Sequence, residues 1–214
     1  GNVIDTCEPE QYSLSKIQQV IEGFVGNIEQ VPPMYSAIKH KGKKLYELAR
    51  AGIEVERKPR SITIYSIELI NYAMDSLSMQ VSCSKGTYIR TLVTDIGHTL
   101  GCGAHVTALR RTQVANLPLE MCSLQEIEQQ VTANALEQLD KMLLPEYTLL
   151  EGFDEYIVQR DKVTRLMQGQ AISLDSTLAD GLVKLFTYTD KNKDFLGLGE
   201  IKSNIILPKR LISL

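Results

Sequence analysis

CSKGTYIRTLVTDIGHTLGCGAHVTALRR, residues 83–111, decides the reading of this chain. From Tyr88 to about Leu100 the apolar residues Ile89, Leu92, Val93, Ile96 and Leu100 recur at helical spacing, and Gly101 and Gly103 end the helix. β-rich sequence precedes it, and AHVTALRRTQV (104–114) is expected to follow as a strand headed by His105. One residue conflicts with this order. Arg90 stands in the first turn, where a helix already carries partial positive charge, and Lys85 adds a second cation just upstream. Such a pair calls for a bound anion or for a carboxylate brought from another segment. The helix offers Arg90 no partner of its own: Thr94 stands at i+4, and Asp95 faces elsewhere.

Working outward, SITIYSIELI (61–70) and SLSMQVSCS (76–84) read as strands, with NYAMD as the turn between them. SLSKIQQVIEGFV (13–25) reads as a helix capped by Ser13 and ended by Gly26. Downstream, Ser123 and Glu126 form a capping box for a short helix, and a second helix of about 132–143 stops before Pro145. Short strands follow: 181–189 and 195–201 around the polar turn 190–194, then the tail 205–214. The pattern is mixed α+β, mainly antiparallel, with a domain boundary near residue 148.

The net charge is −3, so no global basic field marks a nucleic-acid binder. Residues 31–60 depart from that average. Lys39, Lys41, Lys43, Lys44, Arg50, Arg57, Lys58 and Arg60 stand against only Glu47, Glu54 and Glu56, between Pro32–Pro33 and Pro59. A short helix over Lys44–Arg50, ended by Gly52, is expected inside this segment. Tyr35, His40 and Tyr46 interleave with the cations, pairing phosphate contacts with stacking surfaces. A solvated charged loop is the plainer alternative. Tyr88, beside Arg90, and Leu109, ahead of Arg110 and Arg111 in the next strand, suit a pocket for a planar base. They equally suit a helix–sheet core.

Other chemistries find no footing. Cys7, Cys83, Cys102 and Cys122 are far apart, without metal-ligand spacing, and read as buried reduced thiols. There is no P-loop, no G-x-G-x-x-G and no Ser/His/Asp grouping. Apolar runs fall far short of the roughly 20 residues of a membrane span, and GNVIDTCEPE does not resemble a signal peptide.

VPPMYSAIKHKGKKLYELARAGIEV, the 83–111 stretch and FLGLGEI…LPKRLI together resemble the TruB family of bacterial tRNA pseudouridine synthases. The resemblance implies a pseudouridine synthase catalytic domain in residues 1–147, with an RNA-gripping thumb insertion at about 30–58. It implies a small PUA-like β domain in 148–214. It implies isomerisation of uridine 55 in the tRNA T-loop, a cytoplasmic setting, tRNA as partner through its T-arm, and neither cofactor nor metal. Carried over position by position, Arg90 resembles the arginine that pairs with the catalytic aspartate, and Tyr88 and Leu109 resemble the uracil pocket. Lys39, Lys41, Lys43, Lys44, Tyr46, Lys85 and Arg110 are then expected to contact RNA. The family's G-x-L-D motif, which carries the aspartate, and its G-H-x-G segment do not occur in this sequence. The chain is therefore expected to be inactive alone, with the preceding segment lost or carried on another chain. A non-catalytic RNA-binding protein of the same fold is the alternative. A metabolic enzyme that holds a small phosphate with Lys85 and Arg90 is a third reading, and it leaves the basic segment unexplained.

Overall fold

A computed structural model describes residues 3, 5–7, 11–118, 120–175, 178–189 and 192–212. The chain forms two compact units, residues 1–109 and 110–214.

The first unit is built on a three-stranded antiparallel sheet. β1 (Gly26–Gln30) and β5 (Leu77–Cys83) flank the long central β4 (Arg60–Tyr72). α1 (Leu14–Glu22) and α3 (Ile89–Leu100) pack on it. The Ser13 hydroxyl accepts from the Lys16 N–H at 3.2 Å and so caps α1, which stops at Gly23, short of the expected Gly26. Val20 and Ile21 from α1, Ile62 and Ile64 from β4, and Leu92 and Ile96 from α3 make the core.

The spacing of apolar residues in β4 breaks a simple alternation, because Ile62 and Ile64 face the core but so do Ile67 and Leu69. The pairing explains it. β1 pairs with 60–64, β5 pairs with 64–72, and the register shifts between Ile64 and Ser66 and again between Leu69 and Asn71. Tyr65 is the extra residue at the first of these and stays exposed. One inserted residue switches which side of the strand faces the helices.

Between β1 and β4 the basic segment folds as a hairpin and a helix. β2 (Lys39–His40) pairs with β3 (Lys43–Lys44) across a tight turn at Lys41 and Gly42. Both turn residues have positive φ, 48° and 86°, as a two-residue hairpin loop requires. α2 (Leu45–Arg50) follows directly, and Leu45 is buried.

The strand expected over 104–114 does not form. The carbonyl of Gly97 accepts from the N–H groups of Gly101, Cys102 and Gly103 at 3.0, 3.2 and 3.0 Å, which folds the chain back against the end of α3. Residues 104–114 then run on as irregular chain, His105 exposed among them. Strand propensity measures fit to a pleated, paired surface, and among the described residues no strand lies alongside this segment.

The second unit opens with α4 (Leu124–Thr132) and α5 (Leu136–Met142). Ser123 and Glu126 form the expected capping box, which holds the Glu126 carboxyl below its usual range. The second helix is shorter than the expected 132–143, because Asn134 turns the chain at φ 54°. Beyond it lies a five-stranded sheet ordered β6 (Asp154–Ile157), β8 (Gly181–Tyr188), β9 (Lys193–Lys202), β10 (Ile205–Leu211) and β7 (Ile172–Ser173). Only the β6–β8 pairing is parallel. α6 (Arg160–Met167) buries Leu166 against Tyr156, Val158, Val183, Leu185, Leu196, Ile201 and Ile206. The expected turn 190–194 lies partly outside the described residues. The fold is thus α+β, with mainly antiparallel sheets.

Candidate nucleic-acid interface and active site

α3 starts where β1 ends. Gln30, the last residue of β1, is 2% exposed. Its side-chain oxygen accepts from the Tyr88 N–H at 2.8 Å, and its nitrogen donates to the Tyr88 carbonyl at 3.1 Å. Tyr88 is the N-cap residue of α3 with extended backbone, and its hydroxyl takes no part in capping. The buried amide of Gln30 does the fixing instead. Gly26, Ile28 and Gln30 alternate inward along β1. That alternation is the signal by which sequence reasoning could have found Gln30, and it was missed because β1 is short.

Arg90 follows two residues on, exposed. Its Nη2 donates to the backbone carbonyl of Tyr35 at 2.8 Å. Tyr35 belongs to the basic segment, so this bond ties the root of the hairpin to the start of α3. A carbonyl dipole thus takes part of the place of the anion that the sequence calls for. Among the described residues no carboxylate forms an ion pair with Arg90. Asp95, one turn further along α3, is pushed up by burial, with His98 pulling it down.

Along the flank of α3 runs an apolar groove of about 810 Å³, between Leu77, Met79 and Val81 of β5 and the irregular stretch that ends at Leu109. Ile89, Leu92, Val93 and Ile96 form its helical wall. Leu109 lines the groove but is 64% exposed, on irregular chain rather than in a strand. Tyr88 is half-buried at the head of α3, outside the residues that line the groove. Lys85 is exposed in the loop between β5 and α3, where Gly86 turns at φ 86°. Arg110 is exposed at the start of the second unit.

The other cations gather on the hairpin. Lys39, Lys41 and Lys43 are exposed, and Lys44 is half-buried. Lys39 stands directly opposite Lys44, and His40 opposite Lys43. Facing like charges destabilise a strand pair unless an anion comes between them. Lys44 Nζ donates to the Tyr46 hydroxyl at 3.2 Å, which pushes the ammonium's pKa up and keeps it charged. Arg57 holds the base of the segment together, donating to the Pro32 carbonyl at 3.3 Å and to Glu54 at 2.8 Å.

The cysteines do not read as expected. Cys7 and Cys122 are exposed, and Cys83 and Cys102 are half-buried. Among the described residues no group of three or more His, Cys, Asp or Glu could hold a metal ion, and no helix is long and apolar enough to cross a membrane.

Three family profiles cover the chain in succession. "TruB family pseudouridylate synthase (N terminal domain)" matches residues 1–89. "tRNA pseudouridylate synthase B C-terminal domain" matches 90–151, and "Pseudouridine synthase II TruB, C-terminal" matches 155–212. Among similar proteins, the tRNA pseudouridine synthase B of Nitrosococcus oceani is 44% identical over 214 residues, covering 99% of this chain and 68% of that protein. That of Shewanella sp. (strain ANA-3) is 41% identical over 222 residues, covering all of this chain and 69% of the relative. A solved structure described as a Cbf5-Nop10-Gar1 complex matches with a TM-score of 0.67 at 23% identity, over 95% of this chain and 63% of that one. A second, an H/ACA RNP bound to a substrate RNA, matches with a TM-score of 0.64 at 20% identity, over 96% and 63%. The chain thus spans under two thirds of the solved chains that share its fold and about two thirds of its sequence relatives. From the profiles and the sequence relatives together, the chain belongs to the TruB family of pseudouridylate synthases.

Proposed function

We propose that the protein is the larger part of a tRNA pseudouridine synthase that isomerises uridine 55 in the T-loop. The observation that carries this reading is Arg90: it is fixed at one nitrogen by Tyr35, exposed, and set at the head of a helix whose flank is an apolar groove. The reaction detaches uracil from C1′ and rejoins it through C5. A base stacked in a loop is out of reach, so the nucleotide must be flipped into a pocket. Tyr88 and Leu109 supply the surfaces for that base. The nucleophile or base is a carboxylate, and pairing with Arg90 keeps it ionised and oriented. No G-x-L-D motif occurs in the 214 residues, so this carboxylate comes from a segment outside them, and the chain alone is inactive. The insertion at about 30–58 grips the T-arm, with Lys85 and Arg110 as further RNA contacts. Residues 148–214 form a PUA-like RNA-binding domain.

The test is pseudouridine formation in a T-arm stem-loop, by this chain alone and with the relatives' preceding segment supplied. Silence alone and turnover on restoration support the reading. Turnover by the chain alone overturns the site assignment. Salt-dependent binding without turnover in either case makes the protein a binding module.

A further inference from the structure

Tyr46 sits in the middle of the basic segment, where an aromatic ring suggests a stacking surface for a base. Its surroundings do not leave the ring free for that. Lys44 Nζ lies 5.4 Å from the ring centroid and Arg50 Cζ lies 5.2 Å from it. Both separations are within the range at which a cation is attracted to an aromatic ring. The Lys44 ammonium is also tied to the Tyr46 hydroxyl at 3.2 Å. Tyr46 and Arg50 are one helical turn apart on α2, and Lys44 immediately precedes that helix. The acid beside them, Glu47, accepts from the Lys44 backbone N–H at 3.2 Å, so its carboxylate is engaged at the helix start. Lys39 faces Lys44 across the hairpin.

We propose that Tyr46 is a positioning residue, which holds Lys44 and Arg50 as a fixed pair of phosphate-binding cations rather than stacking on a base. The ligand is the phosphate backbone of an RNA stem. Two long side chains that would otherwise sample many rotamers are restrained by one ring. Less ordering entropy is then lost when an anion binds. The cross-strand facing of Lys39 and Lys44, unfavourable in the free chain, becomes favourable with a phosphate between them. This inference rests on the proposed RNA function of the hairpin.

Salt separates the two roles. Phosphate contacts weaken as salt rises, because they depend on counterion release, whereas stacking on a base does not. The experiment measures affinity of the 214-residue chain for a T-arm stem-loop RNA at several salt concentrations, for Tyr46→Leu, Tyr46→Phe and the triple variant Lys39→Ala/Lys41→Ala/Lys43→Ala. For Tyr46→Leu we expect a salt slope shallower by about one, so that its deficit shrinks about fourfold between about 50 and 200 mM salt. Tyr46→Phe keeps the ring over both cations and should recover most of the affinity. An unfolded hairpin would also lose affinity, but the double variant Tyr46→Leu/Lys44→Ala guards against that reading. Positioning predicts that Tyr46→Leu costs less affinity in the Lys44→Ala background than in the parent chain at low salt, the remainder being the share of Arg50. A Tyr46→Leu deficit constant with salt, or one that adds in full to that of Lys44→Ala, overturns the proposal and restores stacking. If the triple variant binds as tightly as the parent chain, the RNA role of the hairpin fails, and this inference falls with it.

Discussion

The buried amide of Gln30 grips both polar groups of the Tyr88 peptide, donating to its carbonyl and accepting from its N–H. One side chain at the end of β1 therefore sets where α3 begins, and with it the position of Arg90.

Gln30→Leu keeps the size of this side chain and removes both bonds. The Tyr88 carbonyl still accepts from the Leu92 N–H at 3.0 Å, so the N–H is the group left unsatisfied. A buried donor without a partner costs about 1–3 kcal/mol. We expect that loss in urea denaturation. Gln30→Glu reproduces both bonds only while its carboxyl is protonated; ionised, it is a buried charge against the Tyr88 carbonyl, so its loss should be larger at neutral pH than in mild acid. A Gln30→Glu loss that does not change with pH would show that the Tyr88 peptide is not what this side chain holds.

Arg90→Ala, made in a protein that also carries the family's aspartate motif, should lower turnover by about 10²–10³-fold or more. Binding of a T-arm stem-loop should change little if, as proposed, the guanidinium serves the carboxylate besides the Tyr35 carbonyl that it contacts. A loss of affinity as large as the loss of rate would make Arg90 a phosphate contact.

Gly97→Ala tests the end of the same helix. A methyl group there would overlap the backbone at Gly103 and Ala104 and the Ala104 side chain. Because backbone must move, we expect a loss of about 1–3 kcal/mol, with protection of the Gly101, Cys102 and Gly103 amides against hydrogen exchange lost first. Unchanged stability would mean that the turn after α3 shifts at no cost.

The C-terminal sheet should weaken in acid. Hydrogen bonds from Lys193 and Lys184 hold the Glu155 carboxyl below its ordinary 4.5. Lys209 and Lys202 do the same for Glu200, and Lys162, 2.5 Å away, for Asp175, whose ordinary value is 3.8. A carboxyl lowered by folding stabilises the folded state above its unfolded value, and that contribution is lost as pH falls through the folded one. Glu155 and Asp175 are exposed and Glu200 is half-buried, so the effect is modest. Thermal melts should be level from neutral pH to about 5 and fall below it, with a shallower fall for Glu155→Gln. Melting that rises on acidification would contradict the assignment.

The α+β character was legible because its strongest signals are local. Ser13 and the Ser123–Glu126 box start helices wherever they stand, and the face of α3 repeats over three turns. What failed depended on partners distant in sequence. AHVTALRRTQV has the composition of a strand but no strand beside it among the described residues. Arg90 was legible as a conflict, but its resolution through a backbone carbonyl could not be read, since Tyr35 lies 55 residues away and a carbonyl belongs to every residue type. Gln30 hid because β1 is too short for its alternation to stand out. Lys41–Gly42 could have been found, as two turn residues between short basic strands.

The extra residue at Tyr65 in β4 governs more than which side chains are buried. A regular strand can slide two residues along its neighbour and still present the same faces, so such errors are hard for a folding chain to detect. β4 is out of phase with itself on either side of Tyr65. A two-residue slide of β5 would carry one of its positions past that break and turn an inward side chain outward. The irregularity gives the sheet a landmark, and assembly then has a single alignment that satisfies both neighbours of the central strand.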